Sequence, residues 1–414
     1  MKKWTSFGIF WVLIFSTTTI GAHTLSVGKG KALSSIQQAL MLAKTGDSIL
    51  VEPGVYHEKN ILITKSISLI GIKFPVLDGQ HHQEIISIKA NHVLVDGFKI
   101  QHTGSGTLDD PAGIKIYDSK YVTISNNILE DTFFGIYTQY GISCIIKNNQ
   151  LHANGLAEQE IGNGIHCWKS DSLQITGNTI SGHRDGIYFE FVTNSLIWRN
   201  TSFENLRYGL HFMFSNNDSY IANVFSNNGA GVAVMFTNHV KMFNNVFKEN
   251  WGDASYGLLL KEISDSYIDG NTFEKNTVGI FMEGTSRIEA KKNSFRNNGW
   301  AMKIQASCMD IAFSKNNFIS NTFDVATNGT LVLNTFTNNY WDKYEGYDLN
   351  KDKVGDIPYR PISMFSMIIE NNSPAMLLFR SIIVSLLDKI EKIIPSLTPE
   401  NLKDEKPLMK ALRL

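Results

Sequence analysis

The sequence predicts an all-β fold: a right-handed parallel β-helix of about 22 residues per coil, with an N-terminal amphipathic capping helix and a C-terminal helical tail. Two recurring phrases and one helical segment predict it. A short apolar phrase opening with Gly returns as "GIKIY" at 113, "GIYTQY" at 135, "GIHCWK" at 164 and "GIYFEF" at 186. It continues as "GLHFMF" at 209, "GVAVMF" at 231, "GLLLKE" at 257 and "GIFMEG" at 279, with spacings of 22, 29, 22, 23, 22, 26 and 22 residues. An Asn phrase keeps step with it, from "SNNIL" near 126 through "TGNTI", "IANVF" and "KKNSF" to "TNNYW" near 337. A fixed period with several short β-rich runs per unit marks coils that stack at the strand spacing of about 4.8 Å. Asn and Gly suit the corners, because they tolerate left-handed backbone and because stacked Asn side chains bond along a ladder. The third observation is "SSIQQALMLAKTG" (34–46), whose helical spacing through Ile36, Leu40 and Ala43 suits a cap over bare strand edges.

Taken in chain order, residues 1–22 read as an export signal. Lys2 and Lys3 precede the apolar run Phe7–Phe15, which is too short for an ordinary membrane span, and a small-residue cleavage site lies near Ala22. Residues 23–362 form the β-helix with its cap. Less regular coils at "DSILVEPGVY", "SISLIGIKF" and "HVLVDGFKI" precede the regular ones. The two long spacings mark loops at 151–163 and 248–256. Residues 363–414 form a helical, membrane- or partner-directed tail, in which "AMLLFRSIIVSLLDKIEKII" (375–394) lies on a membrane or partner, or caps the end of the helix. The closing "TPENLKDEKPLMKALRL" reads as charged and loose.

A formal charge of −1 argues against nucleic acid as partner, because phosphate binding needs a basic footprint. Cys144, Cys167 and Cys308 are odd in number and far apart, and read as small buried residues rather than a disulfide framework.

Strand alternation assigns direction. One residue after each Gly come Ile136, Ile165, Ile187, Leu210, Val232, Leu258 and Ile280, and three after come Cys167, Phe189, Phe212, Val234, Leu260 and Met282. These columns face inward, and Phe191, Phe214 and Phe236, five after, are expected to join them. The intervening columns face out: Tyr137, His166, Tyr188, His211 and Ala233 at the second position, and Gln139, Trp168, Glu190, Met213, Met235 and Lys261 at the fourth. The pair His211 and Met213 is therefore expected on the surface, with Met235 one rung beyond. Two readings stand. His166, Trp168, Tyr188 and Glu190 form a partner-docking surface, and His211, Met213 and Met235 either belong to it or handle Cu(I), which thioether and imidazole select over hard cations.

A carbohydrate-active enzyme (polysaccharide lyase, epimerase or hydrolase) is the alternative. It needs paired carboxylates across a groove, whereas the outward acids here, Glu190 and Glu283, are isolated, and the His183–Arg184–Asp185 corner reads as a solvated turn. Asp348, Asn350, Asp352 and Asp356 occupy alternate oxygen-donor positions as in calcium loops. The expected loop Gly and the final Glu are missing, so an aspartate-rich turn competes with Ca2+ binding.

Across essentially the whole exported chain the sequence resembles the NosD family, on "SIQQALMLAKTGDSILVEPGVYHE", "HRDGIYFEFVTNS", "RYGLHFMFSNNDSY" and "NYWDKYEGYDLNKDKVGDIPYRP" followed by an apolar tail. The resemblance implies a periplasmic, non-enzymatic accessory protein for nitrous oxide reductase maturation. It would work with an ABC-type permease and its ATPase on the reductase's copper–sulfide centre, with a lipoprotein copper chaperone delivering Cu(I). It would be membrane-associated through these partners.

Overall fold

The computed structural model describes residues 22–106, 110–329, 333–378, 381–393 and 402–414; the expected export signal lies outside them, save Ala22. The chain winds into a parallel β-solenoid of about 14 turns with three faces. One 25-stranded hydrogen-bonded sheet covers two faces, joined by the long strand Tyr256–Asp269, and a 13-stranded sheet forms the third. The Gly phrases lie on the first face, and neighbouring coils pair residue for residue: Ile136 opposite Ile165, Ile187 opposite Leu210, Leu210 opposite Val232.

The Gly recurs because consecutive coils approach too closely for a side chain. A Cβ on Gly135 would stand 2.4 Å from the carbonyl oxygen of Gly164, and one on Gly231 would stand 2.4 Å from that of Gly257. The two Asn of each "NN" phrase divide the corner's work. The first, such as Asn126, Asn148 or Asn244, takes a positive φ near 55°. The second turns inward and joins a ladder running Asn127, Asn149, Asn178, Asn200, Asn223, Asn245, Asn271, Asn293, Asn316, Asn339. Along it each backbone N–H and Nδ2 donates to the Oδ1 one coil on, at 2.8–3.0 Å. A second ladder runs Asn205, Asn228, Asn250, Asn276, Asn298, Asn321. Inside the third face, Phe225, Phe247, Phe273, Phe295, Phe318 and Trp341 stack at centroid spacings of 4.0–5.7 Å.

Both ends are closed. Helix α1 (Ile36–Leu42) covers the first coil with Ile36 and Ala39 buried; Ser35 caps it, and Glu58 accepts from the amides of Ile36 and Gln37. At the other end the expectation of a loose tail is overturned for residues 402–414. Asp404 is fully buried, and its Oδ2 accepts from the Asn339 amide, Asn339 Nδ2 and Trp341 Nε1 at 2.9–3.1 Å, so a carboxylate terminates the Asn ladder. Asn317 then grips the backbone of Leu412 in both directions. A ladder end left without an acceptor would carry the cost of buried, unsatisfied amides, which is why a charged-looking segment docks here.

Helices α2 (Met364–Asn371) and α3 (Ile382–Ile393) do not cap the end of the solenoid. Phe365, Ile369 and Val384 pack on the outer side of the first face, against Val278, Trp300 and Phe323. Cys144, Cys167 and Cys308 are buried and free, as expected. The expectation that Phe191, Phe214 and Phe236 face inward is corrected: they are 38–44% exposed and stack outside at 5.1–5.2 Å. Each has φ of 52–54°, and one left-handed residue at the strand's end breaks the alternation that would have turned it in.

Replacing Asn223 by Ala would remove the acceptor of the Asn200 amide, one of the bonds of Asn200 Nδ2 and the side-chain donor to the Ile197 carbonyl. The expected cost is about 2–4 kcal/mol, read as a lowered denaturation midpoint, whereas Asn244→Gly at the left-handed position one coil on should change stability by only a few tenths of a kcal/mol.

Candidate functional site

The site lies on the outer side of the first face, along strands Phe134–Gln139, Ile165–Trp168, Asp185–Glu190, Tyr208–Met213 and Ala230–Asn238. Register places Tyr137, His166, Tyr188, His211 and Ala233 in one row and Gln139, Trp168, Glu190, Met213, Met235 and Lys261 in the next, as strand alternation predicts. Rings in the first row stack coil upon coil, with centroids 4.4 Å apart for Tyr137–His166, 4.9 Å for His166–Tyr188 and 4.7 Å for Tyr188–His211.

The expected openness of this surface needs correction. Outward is not the same as exposed here: His166 is 8% and His211 6% accessible. A partial second layer covers them. Phe134 and Tyr137, from the strand of the preceding coil, lie against His166, and Asn163, at the end of the loop of residues 153–163, brings its Nδ2 to 3.3 Å from the His166 Nδ1. Tyr208 lies 4.9 Å from the His211 ring. Of the docking set, His166 is buried, while Trp168, Tyr188 and Glu190 are half-buried.

The corner at His183–Arg184–Asp185 is not a solvated turn. Asp185 is fully buried; its carboxylate receives Arg207 Nε at 2.9 Å and Nη2 at 2.5 Å, and lies 3.5 Å from His211 Nδ1. Burial pushes the Asp185 pKa up, but the Arg207 and His211 contacts outweigh it and hold the carboxylate below its ordinary range. Burial also pushes Tyr188 up to about 12 and holds His166 and His183 down at about 3, so both imidazoles are neutral at physiological pH. Neither ring nitrogen of His183, nor Nε2 of His166, has a hydrogen-bond partner among the described residues. The buried Asp185–Arg207 pair was missed in the sequence. Its signal was there: an acid just before one Gly phrase and an arginine two residues before the next.

The structure brings Met213 beside Met235 in register, with Tyr188 Oη 3.5 Å from Met213 Sδ and both Met half-buried. His211 sits two residues before Met213 on the same strand. Of its ring contacts, Asp185 and Tyr208 lie toward the start of the strand and Tyr188 lies directly opposite it. The row therefore offers two thioethers at adjacent rungs, with an imidazole on the same side about 6.6 Å along the strand. No carboxylate pair spans this stretch: Glu190 stands apart, and Asp185 is tied to Arg207. In the acidic turn, Asp348 accepts from the amides of Asp352 and Lys353, Asn350 from that of Asp352, Asp352 from that of Val354 and Asp356 from that of Leu349. These are the bonds of an aspartate-rich turn.

Comparisons with known proteins agree with this architecture. A profile described as "Right handed beta helix region" matches residues 46–180, and one described as "Periplasmic copper-binding protein (NosD)" matches residues 147–346, the stretch that contains the His/Met rows. Two proteins named "Probable ABC transporter binding protein NosD" are similar along nearly their whole length. The one from Pseudomonas aeruginosa is 25% identical over 407 residues, 93% of this chain and 94% of the relative. The one from Stutzerimonas stutzeri is 25% identical over 418 residues, 96% and 95%. Among solved structures, the catalytic unit of a Streptomyces thermodiastaticus GH87 α-1,3-glucanase superposes with a TM-score of 0.58 at 12% identity, covering 77% of this chain and 66% of that one. The Streptococcus pneumoniae surface adhesin PfbA gives 0.56 at 12% identity, covering 71% and 87%. At those identities the likeness shows the fold alone, one that serves enzymes and adhesins alike. By fold the protein is a right-handed parallel β-helix whose outer face carries stacked His, Tyr and Met rows. By sequence it is similar to NosD proteins.

The neutral histidines set a pH dependence. With folded pKa values near 3 against 6.5 when unfolded, the unfolded chain binds more protons between those limits, so stability is full above about pH 6.5 and falls as pH drops toward 3. His183→Leu is expected to remove about 2 kcal/mol of the loss between pH 7 and 5, seen as a shallower fall of the thermal midpoint with pH.

Proposed function

We propose that this NosD-like protein is an exported accessory factor that supports assembly of the copper–sulfide centre of nitrous oxide reductase, and that Cu(I) passes over the Met213–Met235 end of its first face. The observation that carries the reading is the in-register pair of half-buried thioethers, with the imidazole of His211 on the same side. Two sulfurs and one nitrogen form a soft donor set that retains Cu(I) and discriminates against Ca2+, Mg2+ and Na+. The copper-binding description of the matching family supports it.

The partners in this proposal are an ABC-type permease with its ATPase, the reductase and a lipoprotein copper chaperone, with the protein in the periplasm. The name of the two relatives supports the transporter. So does the apolar surface beside the first face: Leu377 is 91% and Ile382 88% exposed, and Ile383 and Leu386 are also exposed. Among the described residues no helix is long and apolar enough to cross a membrane, so in this reading α3 rests on a membrane-embedded partner rather than spanning lipid. Trp168, Tyr188 and Glu190, with the exposed Phe191–Phe214–Phe236 stack, supply the docking surface for the protein that gives or takes copper.

An anaerobic Cu(I) competition titration tests this. The mature chain is expected to bind one Cu(I), and Met213→Ala with Met235→Ala to weaken binding at least about 100-fold, or roughly 2.7 kcal/mol. Equal retention by the double variant would leave the face a docking surface without copper.

A further inference from the structure

A different corner of the solenoid carries a second donor set, far in sequence from the Met pair and outside the stretch matched by the copper-binding profile. At the end of the third face, in the early coils, one ligand atom from each of His81, His102 and Asp131 lies within 4.8 Å of the other two. Among the described residues this is the one group of three such side chains so placed. Three different coils supply it, so nothing in the local sequence announces it. The His81 and His102 rings lie 4.7 Å apart, and all three residues have positive φ, of 49–59°. Left-handed backbone at one corner on successive coils aims the three side chains at a common point outside the helix.

The second observation is what surrounds His102. Its Nδ1 is engaged by Asp78 Oδ1 at 3.1 Å, while Asp78 is itself held by Gln101 Nε2 at 3.0 Å and the Gln80 amide at 2.9 Å. A carboxylate that fixes one imidazole nitrogen, leaving the other free, is the arrangement that orients metal-ligating histidines. Among the described residues no hydrogen bond occupies Nε2 of His102, or either ring nitrogen of His81.

We propose that His81, His102 and Asp131 bind a divalent transition ion of the Cu2+ or Zn2+ class, with Asp78 as the positioning residue for His102. Two imidazoles and a carboxylate are borderline donors that suit these ions and not Cu(I), and three protein ligands leave a coordination position open. Ligands of a tetrahedral ion at about 2.0–2.1 Å stand roughly 3.3 Å from one another, so closing the set takes at most an ångström or two of side-chain movement, available to His81 and Asp131 because both are exposed.

The test uses the mature full-length chain, stripped of metal and titrated with Zn2+ by calorimetry and with Cu2+ by electron paramagnetic resonance. The wild type is expected to bind one Zn2+ and to give a Cu2+ spectrum with two coordinating nitrogens. His81→Ala with His102→Ala should lose at least about 100-fold in Zn2+ affinity. Asp131→Asn keeps the residue's shape and should also weaken binding. Asp78→Asn should cost about tenfold, and its Cu2+ spectrum should change, which a purely structural Asp78 would not cause. Met213→Ala with Met235→Ala should bind Zn2+ like the wild type, so this site can stand or fall independently of the Cu(I) reading. A wild type with no Zn2+ binding tighter than about 100 μM overturns the proposal. So does a folded double-His variant that binds as well as wild type, which would place the ion elsewhere, for example at the amine and imidazole of His23.

Discussion

Everything in this molecule depends on how the corner between two faces is turned. A coil that bends needs one residue in left-handed backbone, and the bend exposes amides and carbonyls that no strand partner satisfies. The chain separates the two demands: an exposed residue takes the positive φ, and the following Asn turns inward and passes its hydrogen bonds to the next coil. Since every Asn is both donor and acceptor, the ladder is complete only as a chain, and each coil's position is set by the one before. This accounts for the tolerance of long insertions at 153–163 and 249–255, which leave the surface between fixed corners without disturbing the register. It also accounts for Asp404: a ladder of donors must end on an acceptor, and a carboxylate from the C-terminal segment provides one.

Fixed register turns sequence columns into rows of chemistry. On the first face it stacks aromatic and imidazole rings less than 5 Å apart, and these rings shield one another from water. Shielding costs the charged form of an imidazole more than the neutral form, so His166 stays neutral, and a neutral imidazole keeps a lone pair for a ligand. Asp185 can remain ionised in the same layer only because Arg207 comes from the next coil to meet it.

Much of this was legible in the sequence, and what was not has physical causes. The period, the Gly and Asn columns, and the rows at His211 and Met213 follow from alternation within one strand, which the structure obeys. Alternation stops at the first left-handed residue, so Phe191, Phe214 and Phe236, one step past the strand's regular part, turned out instead of in. Coverage was not legible, because Phe134 closes over His166 from another coil, Asn163 from a loop, and Tyr208 over His211 from the irregular start of its own strand. The docking of residues 402–414 was hidden because their charge suggested solvent, whereas the decisive group is a single Asp buried at the end of a ladder some 65 residues earlier. The His81–His102–Asp131 group was hidden for a related reason: its members belong to different coils and fall at irregular corners, where no repeat column could be aligned.

The distribution of cover along the first face has a consequence for how a partner reaches it. Phe133, Phe134 and the loop of residues 153–163 lie over its early coils, and α2 with α3 lies over Val278, Trp300 and Phe323. Met235 falls two coils and Met213 three coils ahead of the Val278 strand, about 10 and 14 Å along the axis at the strand spacing, and both lie five residues farther along their strands than the Val278 column. A partner seated on the exposed apolar side of α3 therefore needs to reach about 20 Å across this one face to meet the thioether pair, with no rearrangement of the solenoid. In a stack where each coil contacts only its neighbours, a signal passed along the axis would have to disturb every ladder bond between its source and its target. Adjacency on one face is the cheaper route. In the proposed reading, the placement of the C-terminal helices on the same face as the Met pair, rather than over the open end of the helix, is the feature through which an energy-consuming partner would act on what this surface holds.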